Sequence, residues 1–241
     1  MKADKAHNVY SGIDTIMEEF LGFDTYEGQG THGVTGLEKP RYWAALKEKY
    51  PEENCLSLES KIDSVIGTAI HERFEKALKE SDLPVTTEVK LEGEIAGYSV
   101  GGTADLLVWE EPDTCKIYDL KTMKAFPAKK AFNGEDTDKF LKQLSVYAYL
   151  LRQQGYNVNP IGSIEVLVVG WTQRDRDLPR TFRIDLPLMS DTEVEEYVKD
   201  RIDNISMEKV DCPVEWMCDN YCELKCVCPH YNNKGFENEE S

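Results

Sequence analysis

An α/β fold, a mixed β-sheet with helices packed against it, follows from three features of the 241-residue sequence. Apolar residues recur at spacings of three and four in three separate stretches, the period of amphipathic helices. Short apolar or alternating runs lie between them, the pattern of strands. The two kinds interleave as α-β-β-β-α-β-β-α, an order that suits helices covering a mixed sheet. Composition agrees: 41% hydrophobic and 10% aromatic residues are ordinary for a globular chain and exclude wholesale disorder.

The first 60 residues read as a helical region broken by glycine-rich turns. Gly28-Gln29-Gly30 and His32-Gly33 interrupt one pattern, and Pro40 opens a helix through Tyr42, Trp43, Leu46 and Tyr50. From Ser60 to Lys79 the apolar positions Ile62, Val65, Ile66, Ile70, Phe74, Ala77 and Leu78 make an amphipathic helix. Three strands follow: Thr86 to Leu91 alternates, Tyr98 to Trp109 is longer, and Thr114 to Leu120 ends on Asp119-Leu120. Lys139 to Gln154 is a helix with Leu141, Leu144, Tyr147, Ala148 and Leu151 on one face. Ile164 to Trp171 reads as a buried strand, Arg180 to Leu186 as the next, and Asp191 to Ile205 as the last amphipathic helix. These elements divide the chain into an N-terminal helical region (1–60), an α/β core (61–206) and a cysteine-rich segment with an acidic tail (207–241).

Charge and cysteines narrow the function. Lys and Arg number 28 against 45 Asp and Glu, a formal net charge of −17. Proteins that hold nucleic acid by charge usually carry a basic excess. Either the partner is not nucleic acid, or the binding face is local and metal ions bring the positive charge. Much of the acidity, such as Glu193-Val194-Glu195-Glu196 and Glu237 to Ser241, reads as solvated helix face or tail. No apolar run approaches the ~18 residues of a membrane span. The run Ile164 to Trp171 is interrupted by Glu165 and Gly170, and nothing apolar follows Met1-Lys2-Ala3-Asp4-Lys5 to make a secretory signal. A soluble cytoplasmic protein without membrane contacts is the expectation. Of seven cysteines, Cys212, Cys218, Cys222, Cys226 and Cys228 crowd together while Cys55 and Cys115 lie far away. An odd number without a signal peptide argues for a bound metal rather than a disulfide framework.

Four further signals bear on chemistry. His71 sits in a helix, where a histidine alone is more often structural. Asp105 falls inside the apolar run Gly101 to Val108, so its burial requires a partner unless it caps a turn. Asp119-Leu120-Lys121 puts a carboxylate and an ammonium on the same side of a strand, as a catalytic pair or as an ion pair on an edge. Gln143 and Tyr147, four apart, share one helix face. Lys124, Lys129 and Lys130 follow as a phosphate-contact patch or a solvated surface.

Taken in order, these four signals resemble the PD-(D/E)XK nuclease superfamily, more narrowly its RecB/Cas4-like exonuclease branch. The resemblance spans Gly67 to Tyr147, with Ala104-Asp105 where a Pro-Asp would stand. It implies a restriction-endonuclease-like core and a Mg²⁺- or Mn²⁺-dependent DNA exonuclease of recombination, repair or phage replication, in the host cytoplasm if phage-encoded. Asp105, Asp119 and the Leu120 carbonyl would supply the oxygen ligands that hard divalent ions prefer, and His71 an imidazole that favours Mn²⁺. Lys121 would orient or deprotonate the attacking water. Gln143, Tyr147 and Lys124 would contact the DNA. The resemblance also implies a [4Fe–4S] cluster on Cys218, Cys222 and Cys228, with Cys55 or Cys212 as fourth ligand; zinc suits the same thiolates. Two other readings fit: a Cas4-like or structure-specific endonuclease trimming ends for a recombination or replication protein partner, and a non-catalytic, metal-stabilised scaffold that binds DNA or protein.

Overall fold

The computed structural model describes Met17, Phe20, Leu21, residues 32–212 and residues 215–233; the Gly28-Gln29-Gly30 turn, the first five residues and the tail from Glu237 lie outside them. One mixed sheet of seven strands is seen among the described residues. They are β1 (His32–Gly33), β2 (Val85–Ile95), β3 (Tyr98–Glu111), β4 (Thr114–Lys124), β5 (Asn157–Val158), β6 (Ile161–Val169) and β7 (Thr181–Pro187). The helices are α1 (Arg41–Lys49), α2 (Ile62–Lys79), α3 (Ala125–Phe132), α4 (Asp138–Gln153), α5 (Asp191–Asp203), α6 (Glu215–Tyr221) and α7 (Pro229–Asn233). No described helix is long and apolar enough to cross a membrane.

The long strands β2, β3 and β4 form an antiparallel meander. Ala96 and Gly97, both at positive φ (51° and 88°), make the β2–β3 turn, the backbone that a tight hairpin of right-handed twist requires. β4 then pairs in parallel with β6, and such a crossover needs a long connection. Helices α3 and α4 supply it. Antiparallel β7 completes the sheet beyond β6. The strands and helices expected from periodicity between residues 40 and 205 are all present; β2, β3 and β4 run further than expected, and the others agree to within a few residues at each end. Helix α3 and the two-residue strands β1 and β5 were not foreseen; the stretch holding α3 reads only as basic, and Pro127 in its first turn is tolerated there.

Helix α4 anchors the main core. Its Leu144, Leu150 and Leu151 are fully buried with Ile117 of β4 and Ile164 of β6. Three glycines of the sheet, Gly93, Gly102 and Gly162, let it approach. A Cβ on Gly162 would lie 2.9 Å from Leu188 Cδ2 and 3.0 Å from Leu144 Cδ1, and one on Gly102 would lie 2.9 Å from the Tyr147 ring. Gly102→Ala therefore has to push α4 outward. We expect a loss of about 1–3 kcal/mol, the usual cost of overpacking, read as a lower urea midpoint.

Helix α2 departs from expectation: none of its residues is fully buried, and Ile62 and Ile66 are exposed. Only part of its apolar stripe meets the sheet, at β2 and β4. A second, small core joins the chain's distant parts: Tyr42 and Leu46 of α1 pack on Leu224 and Cys228. Pro40 offers no side chain to cap α1. The Asp211 carboxylate does so from across the sequence, accepting from Arg41 N at 2.9 Å and Tyr42 N at 3.1 Å.

Candidate active site

The site lies where two strands part. β3 and β4 pair from Glu111↔Thr114 to Leu106↔Tyr118, and the pairing stops there. β4 runs on beside β6 as far as Lys124↔Val169. Asp105 and Asp119 are the first residues past the fork. The Leu120 N–H, freed from β3's backbone at that point, is taken by the Asp105 side chain, Oδ2 accepting at 2.9 Å. On the other side of β3 the β2 pairing skips one position, between Thr87↔Leu106 and Val89↔Ala104, with the register unchanged, and the skipped position opposite Asp105 is Glu88, at a φ of 51°. That left-handed backbone is uncommon for a residue with a side chain and recurs at functional sites. Nothing in the sequence marked Glu88.

Helix α2 lies along the open half of β4, and its four-residue spacing matches the strand's two-residue spacing. Asp63 Oδ2 meets Lys124 Nζ at 2.6 Å, Gly67 faces Thr122, and His71 hydrogen-bonds the Leu120 backbone. His71 Nδ1 lies 3.6 Å from Asp105 Oδ2. Burial pushes the imidazole below its usual pKa, against the attraction of Asp119, which leaves it neutral and able to offer a lone pair near pH 7.

Asp119 is only 2% exposed. Its Oδ1 accepts from Lys121 Nζ at 2.9 Å and from Gln143 Nε2 at 3.0 Å. Its Oδ2 accepts no hydrogen bond, although the Lys121 ammonium stands 2.7 Å away as an ion-pair partner. Burial raises the Asp119 pKa well above the carboxylate range and Asp105 adds to the rise, with Lys121 opposing. Burial likewise raises Asp105, against Lys121 and the Leu120 N–H. Two neighbouring carboxylates held this way need more positive charge than one lysine gives. With the Leu120 carbonyl and a neutral His71 they form a donor set suited to a hard divalent cation.

The remaining expected residues take distinct places. Gln143 reaches Asp119 from α4, one turn before Tyr147, which is buried against Gly102. Lys124 is exposed, and its pairing with Asp63 is of the surface kind that contributes little. Lys129 and Lys130 lie on α3, directly after β4.

Cys115 is buried in the main core, and the other six cysteines gather beside the small core of α1. Burial raises the Cys212 thiol to about 12, with Cys218, Asp211, Cys222 and Cys228 each adding to the rise. Cys55, 171 residues from Cys226, is disulfide-bonded to it, and its N–H donates to the Glu223 carbonyl at 2.7 Å. The fold thus brings both candidate fourth ligands to one knot. Glu53 stands beside Cys55 and Cys226, its Oε2 3.9 Å from the Cys226 sulfur.

A family model described as the PD-(D/E)XK nuclease superfamily matches residues 15–229. No curated protein matches the sequence. Among solved structures, that of SSO0001 is similar with a TM-score of 0.58 at 19% identity, covering 89% of this chain and 92% of that one, a likeness of fold. An alkaline exonuclease (LHK-Exo) from Laribacter hongkongensis gives a TM-score of 0.39 at 15% identity over 57% of this chain and 66% of that one, too distant to transfer anything.

Proposed function

The chain belongs to the PD-(D/E)XK nuclease superfamily, and from that premise we propose that it is a Mg²⁺- or Mn²⁺-dependent DNA exonuclease of the RecB/Cas4-like branch, working in recombination, repair or phage replication. The supporting observation is the fork itself, where Asp105, Asp119, the Leu120 carbonyl and His71 face one another and a buried carboxylate oxygen has only Lys121 opposite.

A divalent ion held there would polarise the scissile phosphate and lower the pKa of a bound water. The chain's own residues do the rest. Asp105 and Asp119 bind the cation, and His71 completes the set. Lys121, hydrogen-bonded to Asp119 and partly open to solvent, orients the attacking water and offsets charge on the phosphate. Gln143 fixes Asp119 and projects from α4 toward the DNA, and Tyr147 keeps α4 seated on β3. Lys124 can exchange Asp63 for a phosphate at little cost because both are exposed. The local cations answer the objection raised by a net charge of −17.

End-labelled linear DNA and covalently closed circular DNA, each with Mg²⁺, Mn²⁺ or EDTA, test the reading. We expect the linear substrate alone to be degraded, and only with metal. Cleavage of the circle would favour the structure-specific endonuclease, and no metal-dependent turnover of either would favour the non-catalytic scaffold.

We further propose that Cys218, Cys222 and Cys228 hold a [4Fe–4S] cluster, with Cys212, a free thiol, as fourth ligand, or Cys55 in protein whose Cys55–Cys226 bond has been reduced to thiols. The support is the crowding of thiols whose ionisation burial and mutual repulsion oppose, a condition that a bound cation relieves. Anaerobically purified protein should be brown. Cys212→Ser or Cys55→Ser should bleach it, whichever supplies the ligand, and colourless protein carrying one zinc per chain would replace iron by zinc.

A further inference from the structure

The stretch from Lys121 to Phe132 carries Lys121, Lys124, Lys129 and Lys130 and no acidic residue, in a chain with 45 Asp and Glu. It leaves the fork directly, as the end of β4 and the whole of α3. Helix α3 is anchored by small side chains, Ala128 and Ala131 being buried. Its two phenylalanines are treated differently. Phe132 rests edge-on against Phe182, ring centroids 5.2 Å apart. Phe126 is 74% exposed, the most exposed of the large apolar side chains among the described residues. Its ring meets the Lys130 ammonium, 5.6 Å from the centroid and one helical turn on, which also pairs with the exposed Asp136 at 2.9 Å, a surface pair that a phosphate can replace at little cost. Lys129 lies on the same outward side. An aromatic face bordered by cations, a few residues beyond the catalytic lysine, matches the surface of a nucleic acid strand rather than that of an apolar protein partner.

We propose that α3 is a ledge for one unpaired DNA strand, with Phe126 stacking on a base and Lys129 and Lys130 meeting its phosphates, so that the enzyme takes single-stranded ends. This rests on the nuclease reading above and adds the substrate class. A base can lie on Phe126 only when its own face is free, and in a duplex every base but those of the terminal pair is stacked on both faces, whereas each base of an unpaired strand can turn a face outward. Stacking on an aromatic side chain tolerates any base, which suits an enzyme that must pass along arbitrary sequence.

Binding to a fluorescent oligothymidylate and to a blunt hairpin of equal charge, in a Lys121→Ala background that preserves the substrate, tests it. Phe126→Ala should weaken single-strand binding about tenfold, the scale of one lost base stack, with a much smaller change for the hairpin. Phe126→Trp should restore the affinity, and the single strand should quench its indole. Phe126→Leu, which keeps apolar bulk without a π-face, should behave like alanine. Leucine binding as tightly as phenylalanine, or equal losses on both DNAs, would overturn the proposal while leaving the nuclease reading intact. A parent protein that neither binds nor cleaves any DNA would overturn both. Because Phe126 is exposed, the variants should keep the parent circular dichroism spectrum, and a changed one would refute the placement of Phe126 on the surface.

Discussion

Replacing Lys121 by alanine should lower DNA cleavage by about a thousandfold or more, because it removes the group that orients the attacking water and offsets transition-state charge. Asp119→Ala and Asp105→Ala should do at least as much, for a different reason. Calorimetric titration with Mn²⁺ in the absence of DNA separates them. Lys121→Ala should still bind the ion, since it removes a competing cation beside Asp119. Asp119→Ala should bind it at least tenfold more weakly, having lost a ligand. Normal cleavage by Lys121→Ala would end the site assignment.

Metal removal should reveal a stability cost that depends on pH. Both fork carboxylates have raised pKa values, chiefly through burial, so the folded state holds protons that the unfolded chain releases. The sign follows from linkage. Without metal, the contribution of these two groups to stability is greatest below their unfolded-state values, near pH 4, and falls as the pH rises through the folded-state values. At neutral pH the chelated protein carries the full cost. Asp119→Asn should therefore raise the melting temperature in EDTA at pH 8, by several degrees if the gain is on the order of 1–3 kcal/mol, while abolishing cleavage. Added Mg²⁺ or Mn²⁺ should stabilise the parent more than the variant. An unchanged or lower melting temperature for Asp119→Asn in EDTA would show that the Lys121 pair already compensates the buried charge.

The strands and long helices were readable because periodicity reports one burial contrast at a time, as in Leu144, Tyr147, Ala148 and Leu151 of α4. The pairing of Asp105 with Asp119 across neighbouring strands was readable too, through the order of four short motifs. What lay hidden depends on register. That β3 and β4 separate at this point, with the Asp105 side chain taking up the Leu120 N–H, is a property of two strands at once and leaves no local composition signal. The same holds for Glu88, whose left-handed backbone interrupts the pairing of β2 with β3 for one residue. The Asp211 cap on α1 joins residues 170 apart, beyond the reach of any pattern read in a window. The exposed side of α2 misled for the opposite reason, since an apolar stripe shows what a helix can bury and not what is there to cover it.

The small core that seats Tyr42 and Leu46 on Leu224 and Cys228 has a consequence for biosynthesis. Helix α1 precedes the long strands in the chain, but its apolar partners Leu224 and Cys228 are translated only after β7. While the ribosome is still adding the intervening residues, α1 has neither its packing surface nor its Asp211 cap. Contacts of such sequence separation form late and slowly, and unpaired apolar residues invite aggregation meanwhile. A nascent chain can thus complete the α/β sheet and its fork before α1 and the segment around Leu224 close on each other. Stalling or truncating translation between residues 207 and 224 should yield a species with a folded sheet, a protease-sensitive α1 and a demand for chaperones that the finished chain no longer has.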